Sequence, residues 1–411
     1  MHDFKQLVFV GIDPHKYQHT AVMIDHWGEV FFELDFPNQP KGFEELLRTV
    51  NMHTPTGRIA IFGIEDTGGF GRPCAQWLTS EGLLVKGVNP VMSCSQRKRR
   101  PHKDKSDADD AAAVAKVVIA EFSTLPEVKK DDYYHALRQL VNRREQLVKT
   151  STQCKNRLHK LLYEHYPEYK EFFSDSFGVT SLAFWHKYPH PSLLENIGPK
   201  RLGSFLQKHA RNFSTSKAEH ILSLVDKNQA MSIETEICIS VIKQLVEQLQ
   251  QLQTHIEEIE GLISGMLKQS DTHLNTLPGV GDITAASILS RVGPIERFSS
   301  ASKLARHAGI SPEENSSGRT TRQQRSKSGD RQLNAAIHRI ALNQIGVCKN
   351  GTHRCPIAYE YYQRKISEGK TKLSALTCLK RRLCDIIYAM LRDKSNYIEP
   401  ELKDEQELSV A

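Results

Sequence analysis

A chain of 411 residues, 39% hydrophobic and 25% charged, has the composition of an ordinary folded protein and length enough for two or three domains. Its net charge of +7, with a pI of about 8.8, points to a polyanionic partner only where the positive charge is clustered. No run of about 18 apolar residues could span a bilayer, and no N-terminal apolar segment reads as a secretion signal. The 8 cysteines form no Cys-x-x-Cys pair, so reduced thiols in a cytoplasmic protein are expected.

Taken in order, the apolar run Leu7 to Ile12 reads as a buried strand that ends on Asp13. A second run, Thr20 to Ile24, follows at hairpin distance, and a third from Glu29 to Phe36 follows the turn at Asp25 to Glu29. A short amphipathic helix starts at Gly42. Arg58 to Ile64 is a further apolar strand, ending on Glu65, and after a Gly-rich turn and a helix comes another strand closed by Pro90. This order predicts a mixed α/β sheet from which two carboxylates, Asp13 and Glu65, leave the ends of buried strands.

The segment from Gln96 opens with a basic run that includes Arg97, Lys98, Arg99, Arg100 and Lys105. Alone, such a run is either a solvated surface or a nucleic-acid contact. It passes into a helix with Ser106 as N-cap. Asp107, Asp109 and Asp110 then stand where the helix dipole favours acids, which is one reading of them. The other rests on spacing. Asp107 and Asp110 are three apart and share a face, and Ala111, Ala112 and Ala115 leave so little bulk that the helix could lie close to the sheet. Asp109 points elsewhere, toward solvent or the cap.

Residues 130–172 form a long basic helical stretch, either a solvated face or a backbone contact to nucleic acid. Residues 173–235 carry helical pieces broken by Pro and Gly and little further signal. From Cys238, apolar residues at Ile242, Leu245, Leu249, Leu252, Ile256, Ile259, Ile263 and Met266 alternate steps of three and four, which predicts a coiled coil over 238–267. The stripe serves either self-association, the favoured reading, or packing against the 130–172 helix. Pro278-Gly279-Val280-Gly281 is a tight turn before a helix. It resembles a helix-hairpin-helix, whose backbone N–H groups meet a phosphate, and it also occurs as a plain helical turn. The stretch from Glu313 is polar and Arg-rich, with Ser316, Ser317, Gly318, Arg319, Arg322, Arg325 and Lys327. It is either a polar loop or a phosphate-handling loop, in which arginines neutralise a phosphate that a serine attacks. Two amphipathic helices and an acidic tail, 401–411, complete the chain.

Several of these blocks agree with one family. Gly11-Ile12-Asp13-x-His15-Lys16, Glu65-x-Thr67-Gly68, Val88-Asn89-Pro90 and Lys105-Ser106-Asp107-x-x-Asp110-Ala111 occur in that order. So do Leu277-Pro278-Gly279-Val280-Gly281, Ala308-Gly309-Ile310-x-Pro312, Ser316-Ser317-Gly318 and Lys327-Ser328-Gly329-Asp330. The series resembles the DEDD transposases of bacterial insertion sequences of the 110/1111 group, over residues 7–120 and 274–395. The resemblance implies an N-terminal RuvC-like, ribonuclease-H-type catalytic domain (1–150), a helical linker with the coiled coil (151–270) and a C-terminal transposase domain with the serine loop (271–400).

It further implies a metal-binding tetrad at Asp13, Glu65, Asp107 and Asp110 and a nucleophilic serine. The serine maps onto Ser317, with Ser316 as competitor. Donor and target DNA, a bridge-type guide RNA and further copies of the chain, as a dimer or tetramer, would be the partners. The cellular place would be the bacterial cytoplasm, at the nucleoid when active. The residues themselves are compatible: four carboxylates can hold two divalent cations about 4 Å apart on a phosphodiester, and hard oxygen ligands favour Mg²⁺, with Mn²⁺ as substitute. Two other readings stand beside this one. The first is a RuvC-like junction endonuclease that uses water. The second is a non-enzymatic nucleic-acid scaffold, with its acids as helix caps.

Overall fold

The computed structural model describes residues 4–65, 69–99, 106–129, 132–209, 215–227, 235–317, 320–324 and 328–399. Residues 1–136 with 293–304 form one compact unit, and residues 137–292 with 305–411 form another.

The first unit is built on a five-stranded sheet of β1 (Leu7–Pro14), β2 (Gln18–Ile24), β3 (Val30–Pro37), β4 (Ile59–Glu65) and β5 (Val85–Val88), in the order β3-β2-β1-β4-β5. β1, β2 and β3 form an antiparallel meander, and β4 and β5 run parallel to β1. This is the strand order of a ribonuclease-H-like sheet, as the resemblance implied. Helices α1 (Pro40–His53), α2 (Arg72–Ser80), α3 (Pro90–Arg97) and α4 (Asp107–Ala120) fill the connections. Each begins as its sequence directs. Prolines stand in the first turns of α1, α2 and α3, where a missing N–H costs nothing, and Asn89 caps α3 by accepting from Val91 N at 2.9 Å.

Side-chain parity decides what the sheet delivers. Along β1, Val8, Val10 and Ile12 pack with Phe43, Leu46, Cys74 and Leu78 of α1 and α2. Leu7 and Phe9 face the other way, onto Val114, Ala115 and Val118 of α4. Gly11 and Asp13 continue that second set, since alternate residues share a face. In β4, Ile61 lies on the α4 face, and Gly63 and Glu65 follow it. Gly11 and Gly63 are direct partners in the β1–β4 register. A methyl group at Gly11 would overlap the carbonyl oxygen of Ala111 and lie 2.9 Å from the Ala115 Cβ, and one at Gly63 would overlap Val118. The backbone of α4 therefore rests on Gly11, its Val118 side chain fills the space over Gly63, and its alanines face the sheet as their small size allows.

The second unit is helical: α5 (Tyr133–His165, entered from the first unit), α6 (Val179–Lys187), α7 (Pro199–His209), α8 (Thr215–Lys227), α9 (Thr235–Lys268) and α10 (Asp282–Val292). After α11 (Ala301–His307) come a two-stranded ribbon, β6 (Glu313–Ser317) and β7 (Thr320–Gln324), then α12 (Arg331–Ile345), α13 (Pro356–Ser367) and α14 (Lys372–Asp393). The heptad stripe of α9 is occupied within the chain: Ile242, Leu249 and Leu252 are buried in one core with Leu147, Leu158 and Leu162 of α5. Arg144 meets Glu260 at 2.6 Å, while Cys154 donates to the Leu245 carbonyl at 3.3 Å. Contacts that descend α9 as they climb α5 make the pair antiparallel.

Two sequence expectations change in detail. The polar stretch from Glu313 is a β-ribbon, with Ser316 opposite Thr321 and Ser317 opposite Thr320, where periodicity showed only a loop. The Pro278–Gly281 turn is preceded by a single 3₁₀ turn, Leu274–Thr276, where a helix-hairpin-helix would have a full helix. Leu277 is extended, as a residue before proline must be, and this ends the helical turn.

The glycine contact has a direct test. Gly11→Ala should cost about 3 kcal/mol or more of unfolding free energy in urea, because backbone rather than a mobile side chain must yield. Gly265→Ala, within α9 with open space around it and no positive φ, should cost nothing or stabilise slightly.

Candidate active site

At the ends of β1 and β4, under the first turn of α4, a cleft of about 310 Å³ is lined by Asp13, His15, Glu65, Ser93, Cys94, Arg97 and Asp110, together with Pro14 and Pro90. Three elements deliver its three carboxylates. Asp13 and Glu65 follow from strand parity, and Asp110 from the helix that the glycines admit. Asp107 stands at the rim: its side chain is 57% exposed, against 13% for Asp13. His15 links the two, with Nδ1 at 3.7 Å from Asp13 and Nε2 at 3.8 Å from Asp107. Asp13, His15 and Asp107 can each offer one ligand atom within 4.8 Å of the others.

Asp109 is part of the helix cap. The Ser106 hydroxyl accepts from Asp109 N at 3.1 Å and donates to the Asp109 carboxylate at 2.8 Å. The two readings of the acidic turn thus apply to different residues, with Asp109 in the cap and Asp110 in the cleft.

The electrostatics of the cleft are those of crowded anions. Burial pushes the Asp13 carboxyl up to about 6; His15 opposes the rise, and Asp110, Glu65 and Asp107 add to it. Arg97, at the end of α3, pairs with Asp110, and this bond holds its guanidinium more firmly protonated. A cluster of carboxylate oxygens gathered in one cleft suits a hard divalent cation, so the residues present fit such an ion. Among the described residues, Asp13, His15 and Asp107 have ligand atoms close enough to share it.

The other expected site residues lie as follows. Lys98 and Arg99 are exposed beyond α3, and Arg100 and Lys105 lie outside the described residues. Gly279, at φ +84°, sits against α12, where Asn343 and Gln344 donate to the carbonyls of Gly279 (3.4 Å) and Pro278 (2.8 Å). Gly281 has open space where a side chain would be and accepts the first bonds of α10 from Thr284 and Ala285. Ser316, Ser317 and Arg322 are placed by their backbone in the ribbon, and Gly318, Arg319, Arg325 and Lys327 lie outside the described residues.

The base of the ribbon is clamped. Gly309 (φ +63°) and Gly329 (φ +103°) meet backbone to backbone, and Asp330 N donates to His307 O at 2.7 Å. Asn334 donates to Ala308 O and Gly309 O, and itself accepts from the buried Lys380 at 2.7 Å. His15 was not among the expected site residues. Its signal was available, two positions after Asp13 in a strand-to-turn motif.

Two family models match the chain: one described as a transposase, the DEDD type of IS110, over residues 10–167, and one as the transposase IS116/IS110/IS902 family over residues 271–363. The chain belongs to the IS110 family of transposases. An uncharacterized 43.6 kDa protein of insertion element IS110 from Streptomyces coelicolor is 29% identical to it over 95% of each chain. A pilin gene-inverting protein from Moraxella bovis is 24% identical over 93% of this chain and 95% of its own. Among solved structures, Thermus thermophilus RuvC in complex with a Holliday junction substrate matches 30% of this chain and 99% of its own, at 11% identity and a TM-score of 0.23. As a member of this family, the transposase is an enzyme that cleaves and rejoins DNA strands.

The raised Asp13 pKa gives a signed prediction for the transposase in EDTA. The folded state holds a proton on Asp13 up to about pH 6, whereas an unfolded aspartate releases it near the ordinary value of 3.8. This group's contribution to stability therefore falls as pH rises through that window. Asp13→Asn should stabilise the protein by about 1–3 kcal/mol at about pH 7.5 and by almost nothing at about pH 4, read by urea unfolding.

Proposed function

We propose that this transposase cuts and rejoins donor and target DNA with Mg²⁺ held by Asp13, Glu65, Asp107 and Asp110 and with Ser317 as nucleophile, guided by a structured RNA and acting as a homo-oligomer. The observation that carries the reading is the convergence of Asp13, Glu65 and Asp110 in one cleft, where burial, with the neighbouring acids adding to it, holds Asp13 up to about 6. Helix caps would not produce it, since the cap duty falls to Asp109. When bound, two divalent cations in such a set neutralise a phosphodiester and steady its attacking and leaving oxygens.

The chain's own residues do the rest. Arg97 offsets part of the negative charge and holds Asp110, and His15 stands between Asp13 and Asp107. The Ser317 oxygen forms a bond to phosphorus as one deoxyribose oxygen leaves with the serine proton. The phosphodiester energy stays in a serine–DNA ester, so a hydroxyl of a second strand can reverse the step without ATP. Ser317 is favoured over Ser316 because it adjoins Gly318 at the end of β6, as in the family's Ser-Gly step.

The test combines full-length transposase, Mg²⁺, element-end DNA and total RNA from a host that carries the element. A covalent protein–DNA adduct is expected, with one enriched RNA recovered from the protein. Asp13→Asn should remove cleavage by more than the roughly 10–100-fold lost when an outer-shell partner is removed, while DNA binding persists. Ser317→Ala should abolish the adduct, and Ser316→Ala should not. Continued cleavage by Ser317→Ala would establish a water-using endonuclease instead. Full activity of Asp13→Asn in EDTA would establish that the acids are structural.

A further inference from the structure

The middle of the second unit, between the two segments matched by the family models, has a cleft of its own. It measures about 480 Å³, a size that suits a nucleotide, and lies where α6, α7 and α9 meet. His186 and Lys187 come from α6, Phe205 and His209 from α7, and Lys243 and Gln250 from α9. The carboxylate of Glu247 pairs with His186 at 2.9 Å.

The aromatic ring is the distinctive part. Phe205 is half-buried, with Tyr188 and His209 at steep angles to it (ring centroids at 5.5 and 5.1 Å), so its plane is fixed by packing. Over its face, at 4.4 Å from the centroid, stands the ammonium of Lys187, an exposed side chain. A ring held by packing, an exposed lysine over its face, and a second lysine beside it match the requirements of an unpaired nucleotide. The base would take the ring face, and Lys187 would swing with Lys243 onto the adjoining phosphates. Gln250 offers an amide that can both donate and accept at a base edge. Duplex nucleic acid keeps its base faces stacked and could use only the lysines.

We propose that the cleft of Lys187, Phe205 and Lys243 binds an unpaired nucleotide of a single-stranded nucleic acid, by stacking on Phe205 and phosphate contact with the two lysines. The site is independent of the carboxylate cleft and of the serine, so neither reading stands or falls with it.

The test uses the full-length chain, a short thiouridine-containing RNA, the matching single-stranded thiothymidine DNA, a DNA duplex and heparin. Irradiation should attach the single-stranded probe to the peptide that contains Phe205; which of RNA and DNA reacts identifies the source. Phe205→Leu keeps the apolar volume but not the stacking face, and it should weaken single-strand binding about tenfold with duplex binding unchanged. Phe205→Tyr should restore it. Lys187→Gln with Lys243→Gln should lower the slope of log affinity against log salt by about one to two. Melting temperatures of the variants establish folding, and the lysine pair serves if the leucine variant fails to fold. Cross-links that map elsewhere would overturn the proposal. So would an equal loss of duplex and heparin binding in Phe205→Leu, which marks an anion surface only.

Discussion

The contact between α4 and the sheet at Gly11 and Gly63 is the constraint on which the carboxylate cleft depends. Two glycines paired in register leave a hollow in the sheet, and Ala111 and Ala115 bring the helix backbone into it. Van der Waals exclusion fixes the depth of that approach. The position of Asp110 relative to Asp13 and Glu65 is therefore set by groups that carry no charge and take no part in chemistry. The cost of burying a carboxylate beside others is visible in the elevated Asp13 pKa, and it is met by packing on both faces of the sheet.

The second unit works from a different constraint. The apolar stripes of α5 and α9 close on each other, and the large aromatic residues Phe172, Phe184 and Trp185 complete that core. On that core sits the basic cleft around Phe205. The ribbon carries few apolar residues of its own, so its placement comes from its base, where Gly309 and Gly329 touch and Asn334 joins two carbonyls to Lys380. A buried ammonium bonded to an amide side chain is a firm tie, since breaking it would strand a charge in a dry environment.

Legibility in the sequence followed the kind of interaction involved. Strand period and capping chemistry are local, and the elements from Leu7 to Ala120 followed from them, apart from α3 and including the small-residue face of α4. The acidic turn at 107–110 was ambiguous in sequence because a cap and a cleft ligand have the same composition. Only the hydrogen bonds of Ser106 assign Asp109 to one and leave Asp110 to the other. The ribbon at 313–324 was read as a loop because its pairing is polar on both strands, with no alternation to reveal it. Likewise, a heptad marks an apolar stripe without saying which helix covers it.

By itself the sequence determined the order and type of the main elements, the small residues where helix meets sheet, and the family motifs that carry Asp13, Glu65, Asp107, Asp110 and the serine pair. Those follow from chemistry within a few residues of chain. The tertiary structure alone decided that Asp13, Glu65 and Asp110 share a cleft, that Arg97 faces it, and that Phe205, Lys187 and Lys243 meet across three helices. Each of these joins residues well apart in the chain, and such meetings depend on strand register and packing depth, which no local pattern encodes.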